Sequence, residues 1–138
     1  MAPRSRESHI LFLLIVGLVG WLVPGGGHAV LRQKRHAIII FATILLTFVA
    51  GLYIGSVGVI NPIGAKPWYL AQIMNSPAVA VLGHLSARGD YAVYGKPGEI
   101  GQIYTSIAGL LNLLCIVNAV YLAHLRGVEE VGDSRCRE

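Results

Sequence analysis

The residues able to do chemistry are few, and their spacing assembles no reactive centre. Five histidines occur, His9, His28, His36, His84 and His124, and no two stand at the HExxH or a related spacing that would set two imidazoles around one zinc ion. His28, in the run Pro-Gly-Gly-Gly-His, reads as a polar anchor at a membrane boundary rather than as a ligand. Gly89 to Lys96 comes nearest to a phosphate-cradling loop. However, five residues separate its glycines where four are needed, and Pro97 replaces the required Ser or Thr. The chain holds no GxSxG turn to expose a nucleophilic serine, and no CxxC or CxxCH pair.

Carboxylates are paired in sequence only at Glu129 and Glu130, in a polar tail where a solvated charge cluster is the physical reading. Arg88-Gly89-Asp90 matches an adhesion signal, but three residues carry little information. A bridge between Cys115, inside an apolar run, and Cys136, near the polar end, would have to join a buried and a solvated position, so both read as free thiols. Cys136 is third from the end, one place short of a prenylation signal. These residues predict a protein that is not an enzyme and that uses neither metal nor cofactor.

What the chain does have is apolar length. Hydrophobic residues make up 54% and charged residues 13% of its 138 positions, and the apolar residues gather in three blocks with most charges between or beyond them, the distribution a bilayer selects. The net charge of +4 comes from short basic groups beside those blocks, so membrane flanks account for it better than nucleic acid does.

The first block, about 10–31, begins with a charge-free run from Ile10 to Val23 that would span about 21 Å as a helix, short of a hydrocarbon core of roughly 30 Å. Pro24 and Gly25 to Gly27 then break regular helix. Three arrangements fit: a short or tilted spanning helix, a re-entrant hairpin, or a secretory signal peptide cleaved after Ala29, against which the dense basic group right after Ala29 argues.

The second block, 37–60, is charge-free and would reach about 36 Å. The third, 100–125, is charge-free up to Arg126, with Glu99 well placed for the helix dipole. Both should span. Between them, 61–99 reads as an amphipathic, partly helical connection. Leu70, Ile73, Met74, Ala78, Val81, Leu82 and Leu85 recur at helical spacing, with Gln72, Asn75, Ser76, His84 and Ser86 mostly opposite. Ser76 before Pro77 is a good helix N-cap, so two short helices fit better than one. The fold expected is therefore an all-α membrane protein with about three transmembrane helices, followed by a polar tail, 126–138.

Within the blocks, small and weakly polar residues mark where helices can touch. Gly51 and Gly55 form a small-xxx-small pair, and Thr105, Gly109, Asn112 and Ala119 fall on one stripe of the third block, opposite Leu111, Leu114 and Val117. Asn112 needs a partner in hydrocarbon and should hydrogen-bond to another helix or to backbone. Trp68 and Tyr69 suit the headgroup level, and with His28, Arg32, Lys34 and Arg35 they are candidates for the membrane surface. With three spans, putting Arg32, Lys34 and Arg35 in the cytoplasm collects six Lys or Arg there against five outside, and the density of that short loop decides for this orientation.

Two stretches carry a resemblance. Gly20 to Phe41, GWLVPGGGHAVLRQKRHAIIIF, resembles the centre of the small bacterial two-transmembrane-segment domain family, in which a Pro-Gly-x-Gly-His turn and a basic patch join two helices. Ala29, Val30 and Leu31 stand where that family usually carries an aromatic pair and a glycine. Glu99 to Ala123, EIGQIYTSIAGLLNLLCIVNAVYLA, is similar to the end of an uncharacterised family of bacterial multi-pass membrane proteins that begin with the same kind of turn. The resemblances imply a multi-pass inner-membrane topology and lend no catalytic residue.

The function expected is that of a non-enzymatic accessory or structural subunit, acting through helix-helix contacts with the bilayer and with other membrane subunits or itself. The alternatives are a small transporter or channel component and an exported envelope protein with a cleaved signal peptide.

Overall fold

The computed structural model describes the chain over 6–60, 66–88 and 96–135. Its regular structure is helical: α1 (Arg6–Leu22), α2 (Gly26–Val30), α3 (Lys34–Gly55), a 3-10 turn (Val57–Val59), α4 (Lys66–Ile73), α5 (Ala78–Arg88) and α6 (Lys96–Arg135). Asn61, Pro62, the Gly89 to Gly95 loop, Asp90, Cys136 and the side chains of Glu129 and Glu130 lie outside the described residues.

The spine is α6, against which α1, α2, α3 and α4 all pack. Two stretches, Lys34–Gly55 and Pro97–Val128, are long and apolar enough to cross a membrane, and the 22 residues of α3 extend about 33 Å. The two run antiparallel and nearly touch through glycine. A Cβ on Gly51 would lie 2.8 Å from Thr105 Cγ2, and one on Gly101 would lie 2.8 Å from the Gly51 carbonyl. Helix α3 stops at Gly55 rather than at the expected Ile60, because Ser56 adopts φ 61° and ψ 177°, from which an α-helix does not continue.

The first block covers only part of the length of α6. Rising positions on α1 meet falling positions on α6: His9 meets His124, Gly17 meets Val120, and Gly20 meets Ile116 and Asn112. Helix α1 therefore ends partway along α6, opposite Asn112. The chain then reverses at Pro24 and Gly25, where Gly25 takes φ +78° and any Cβ would lie 2.6 Å from the Ala37 carbonyl. Helix α2 returns beside α1, with Gly26 against Val19 and Gly27 against Val16 and Ala119. Its last turn is closed by Arg126, whose Nη1 donates to the Leu31 carbonyl over 2.8 Å. Within residues 10–31 the chain thus folds back on itself, α2 against α1. A Pro-Gly break after a run too short to cross leaves the chain free to fold back.

A second hairpin approaches from the other end. Helix α4 runs parallel to α6, with Trp68 at Ser106, Ala71 at Gly109 and Met74 at Asn112. Ser76 Oγ accepts from the Ala78 amide at 3.1 Å and so caps α5. Helix α5 then turns back, bringing Gly83 under the Tyr69 ring. Of the connection, α4 thus packs along α6, while α5 packs on α4 and the 3-10 turn.

Two small apolar clusters fill the interior. Ile44, Phe48, Ile60, Val79 and Ala108 form one, and Val16, Leu31, Ala119 and Ala123 the other. Outside them the usual distribution is inverted. Leu14, Ile38, Leu46 and Leu114 are each more than 60% exposed, while Gln72, Thr105 and Asn112 are fully buried.

Candidate functional site

The tips of the two hairpins meet at Asn112. Its Nδ2 lies within hydrogen-bond distance of three carbonyl oxygens: Asn75 at 2.8 Å, Met74 at 3.0 Å and Gly20 at 3.3 Å. Those carbonyls belong to the last turns of α1 and α4, or to the residues just beyond, whose C=O groups find no acceptor role inside their own helices. Helix C-termini carry partial negative charge, so two of them end to end repel unless a donor stands between them. The Asn112 amide supplies that donor, and Trp21 adds a second tie, its Nε1 donating to the Ile73 carbonyl at 3.1 Å.

A polar chain continues from this junction along the α4/α6 seam. Gln72 Nε2 donates to Thr105 Oγ1 at 2.8 Å and approaches the Val59 carbonyl at 3.3 Å. Thr105 Oγ1 in turn donates to the Gly101 carbonyl at 2.9 Å. The seam closes because Gly109 has no side chain, since a Cβ there would overlap the Ala71 carbonyl. Three buried amide oxygens, Gln72 Oε1, Asn75 Oδ1 and Asn112 Oδ1, have no partner among the described residues. Asn75 and Ser76 also border an apolar groove of about 260 Å³ between the hairpin tips and α3, walled by Phe41, Ile44 and Phe48.

Of the residues that the sequence marks for helix contact, Gly51 and Thr105 meet each other, and Gly55 meets Gly101. Gly109 and Asn112 meet α4, and Ala119 meets Gly27 of α2. Of the surface candidates, Arg32, Lys34 and Arg35 are exposed beside the start of α1. His28, by contrast, is buried in α2 at 3% exposure, because the reversal at Gly25 folds it against α1 and α6. Trp68 is exposed and offers its carbonyl to Ser106 Oγ, while Tyr69 packs inward on Gly83. Gln72, Asn75, Trp21 and Gly101 were not marked. Gly101 and Thr105 form a second small-xxx-small pair facing Gly51 and Gly55, and that spacing was the available signal. Among the described residues no group of three or more His, Cys, Asp or Glu could hold a metal ion.

Fold and site together define an all-helical chain with two helices long and apolar enough to span a membrane. The sequence model of a family of unknown function, DUF6677, matches residues 15–128, and the chain belongs to that family. The match accords with the resemblance to an uncharacterised family and lends no support to the two-transmembrane-segment domain family. No curated protein and no solved structure matches the chain.

Proposed function

We propose that this is a non-enzymatic, multi-pass protein of the inner membrane that serves as an accessory or structural subunit through helix-helix contacts. In this reading α3 and α6 cross the bilayer, and the α1–α2 and α4–α5 hairpins enter from opposite sides to meet at mid-depth. The observation that carries it is the inverted burial. A surface of exposed Leu, Ile and Val around buried Gln72, Thr105 and Asn112 would aggregate in water and is satisfied in lipid. Exposed Tyr104 and Tyr121 lie about 26 Å apart on α6, close to the separation of the two aromatic belts of a bilayer.

Charge supports the same topology. If α1 and α2 form a re-entrant hairpin, the N-terminus, the Arg32 to Arg35 loop and the C-terminal tail share one side. That side then holds eight of the eleven Lys and Arg, an asymmetry that favours the cytoplasm for it. Cysteines introduced singly at Arg35, Arg88 and Val128, in a chain with Cys115 and Cys136 replaced by Ser, test this. Positions 35 and 128 should label from the cytoplasm and 88 from outside; labelling of 35 and 128 from opposite sides refutes the topology. The subunit role is tested by purification from native membranes in mild detergent, where a defined oligomer or a stoichiometric partner is expected and a dispersed monomer counts against it.

A second reading, a small transporter or channel component, is favoured by one feature. Half-length helices that end near the midplane beside unpartnered amide oxygens are how many transporters build a solute site. Flux at background in reconstituted liposomes would remove this reading. The third, an exported protein cleaved after Ala29, would discard Trp21 and Gly20 from the junction, and an intact N-terminus on the mature chain is the expected result.

A further inference from the structure

We infer that His9 and His124 form a two-ligand site for a borderline transition-metal ion such as Zn2+, Ni2+ or Cu2+, tying the start of α1 to α6. His9 Nε2 and His124 Nδ1 are 3.3 Å apart, with ring centroids 5.4 Å apart. Two imidazole nitrogens at about 2.0–2.1 Å from a tetrahedral ion stand about 3.3 Å from each other, so the pair already has the separation that chelation needs. The rings come from different helices, with His9 half-buried and His124 exposed to incoming ions. His9 lies over Gly127, where a Cβ would overlap its ring.

Imidazole nitrogen suits zinc, copper and nickel rather than magnesium or calcium. In the free protein one ring donates its N–H to the other. On metal binding that proton moves to the donor ring's other nitrogen, leaving a lone pair on each facing nitrogen, so a neutral pair binds the ion without net proton release. Water fills the remaining positions. The neighbouring cation, Arg126, is engaged with the Leu31 carbonyl. The ion thereby closes the open end of the first hairpin bundle, as Asn112 closes its tip.

The test uses the full chain in detergent, purified with a tag that contains no histidine and with Cys136→Ser, titrated with Zn2+ by calorimetry and with Cu2+ by electron paramagnetic resonance. One ion per chain with two coordinated nitrogens is expected, and His9→Gln or His124→Gln should each weaken binding at least roughly tenfold. His84→Gln should leave it unchanged, and Mg2+ should not compete. Binding that survives in the double variant overturns the site. So does a copper signal with a single nitrogen in the otherwise unaltered chain, a reading that does not depend on any histidine variant folding.

Discussion

At the scale of single residues, the protein rests on a few polar atoms that have no substitute. Asn112→Leu keeps the volume and removes the donor, leaving carbonyls of Gly20, Met74 and Asn75 facing each other. A loss of about 2–3 kcal/mol is expected in reversible unfolding in detergent, the cost of stranding buried acceptors. Asn112→Asp should cost more, since it sets a negative charge between two helix C-termini. Trp21→Phe removes one hydrogen bond while keeping most of the ring, and a loss near 1 kcal/mol is expected from the same measurement. Asn112 was legible in the sequence because a lone amide in a long apolar run demands a partner. Which partner was not legible, because the three acceptors are main-chain oxygens and every residue carries one. Trp21 was silent for the same reason.

At the scale of elements, helical period gave the faces of α4 and α5 but not which face turns inward. Leu70, Val81 and Leu85 are exposed while Gln72, Asn75 and Ser86 are buried, the reverse of an amphipathic helix on a soluble core. Hydrophobic length identified α3 and α6, whose charge-free runs are long enough to need no further information. The course of the first block turns on a single positive φ at Gly25, which the three consecutive glycines permit without specifying. Packing density decides the remaining contacts. Gly109→Ala should separate α4 from α6 and cost about 1–3 kcal/mol, with Gly51→Ala comparable at the α3/α6 crossing. Thermal unfolding followed by circular dichroism compares the two with the unaltered chain.

At the scale of the whole molecule, burial and charge each support the topology proposed above. Eight basic residues on one side follow only if the first block folds back; three spans would have divided them almost evenly. The candidate site is likewise a property of the whole. Residues 20, 74, 75 and 112 come from α1, the turn after α4, and α6, and nothing in local pattern brings them together.

The helix on which most of the other described elements lean, α6, is also made after them. Ribosomal synthesis delivers Pro24, Gly25 and the Asn75 to Pro77 bend long before α6 exists to receive them, so both bends carry bare carbonyls that hydrocarbon cannot solvate. In the proposed topology, the two hairpins can only wait at the bilayer surfaces or against a holding factor until residue 112 leaves the ribosome. A chain stopped before Lys96 should therefore be degraded in vivo, and α6 supplied as a separate polypeptide should rescue it, which pulse-chase labelling would register.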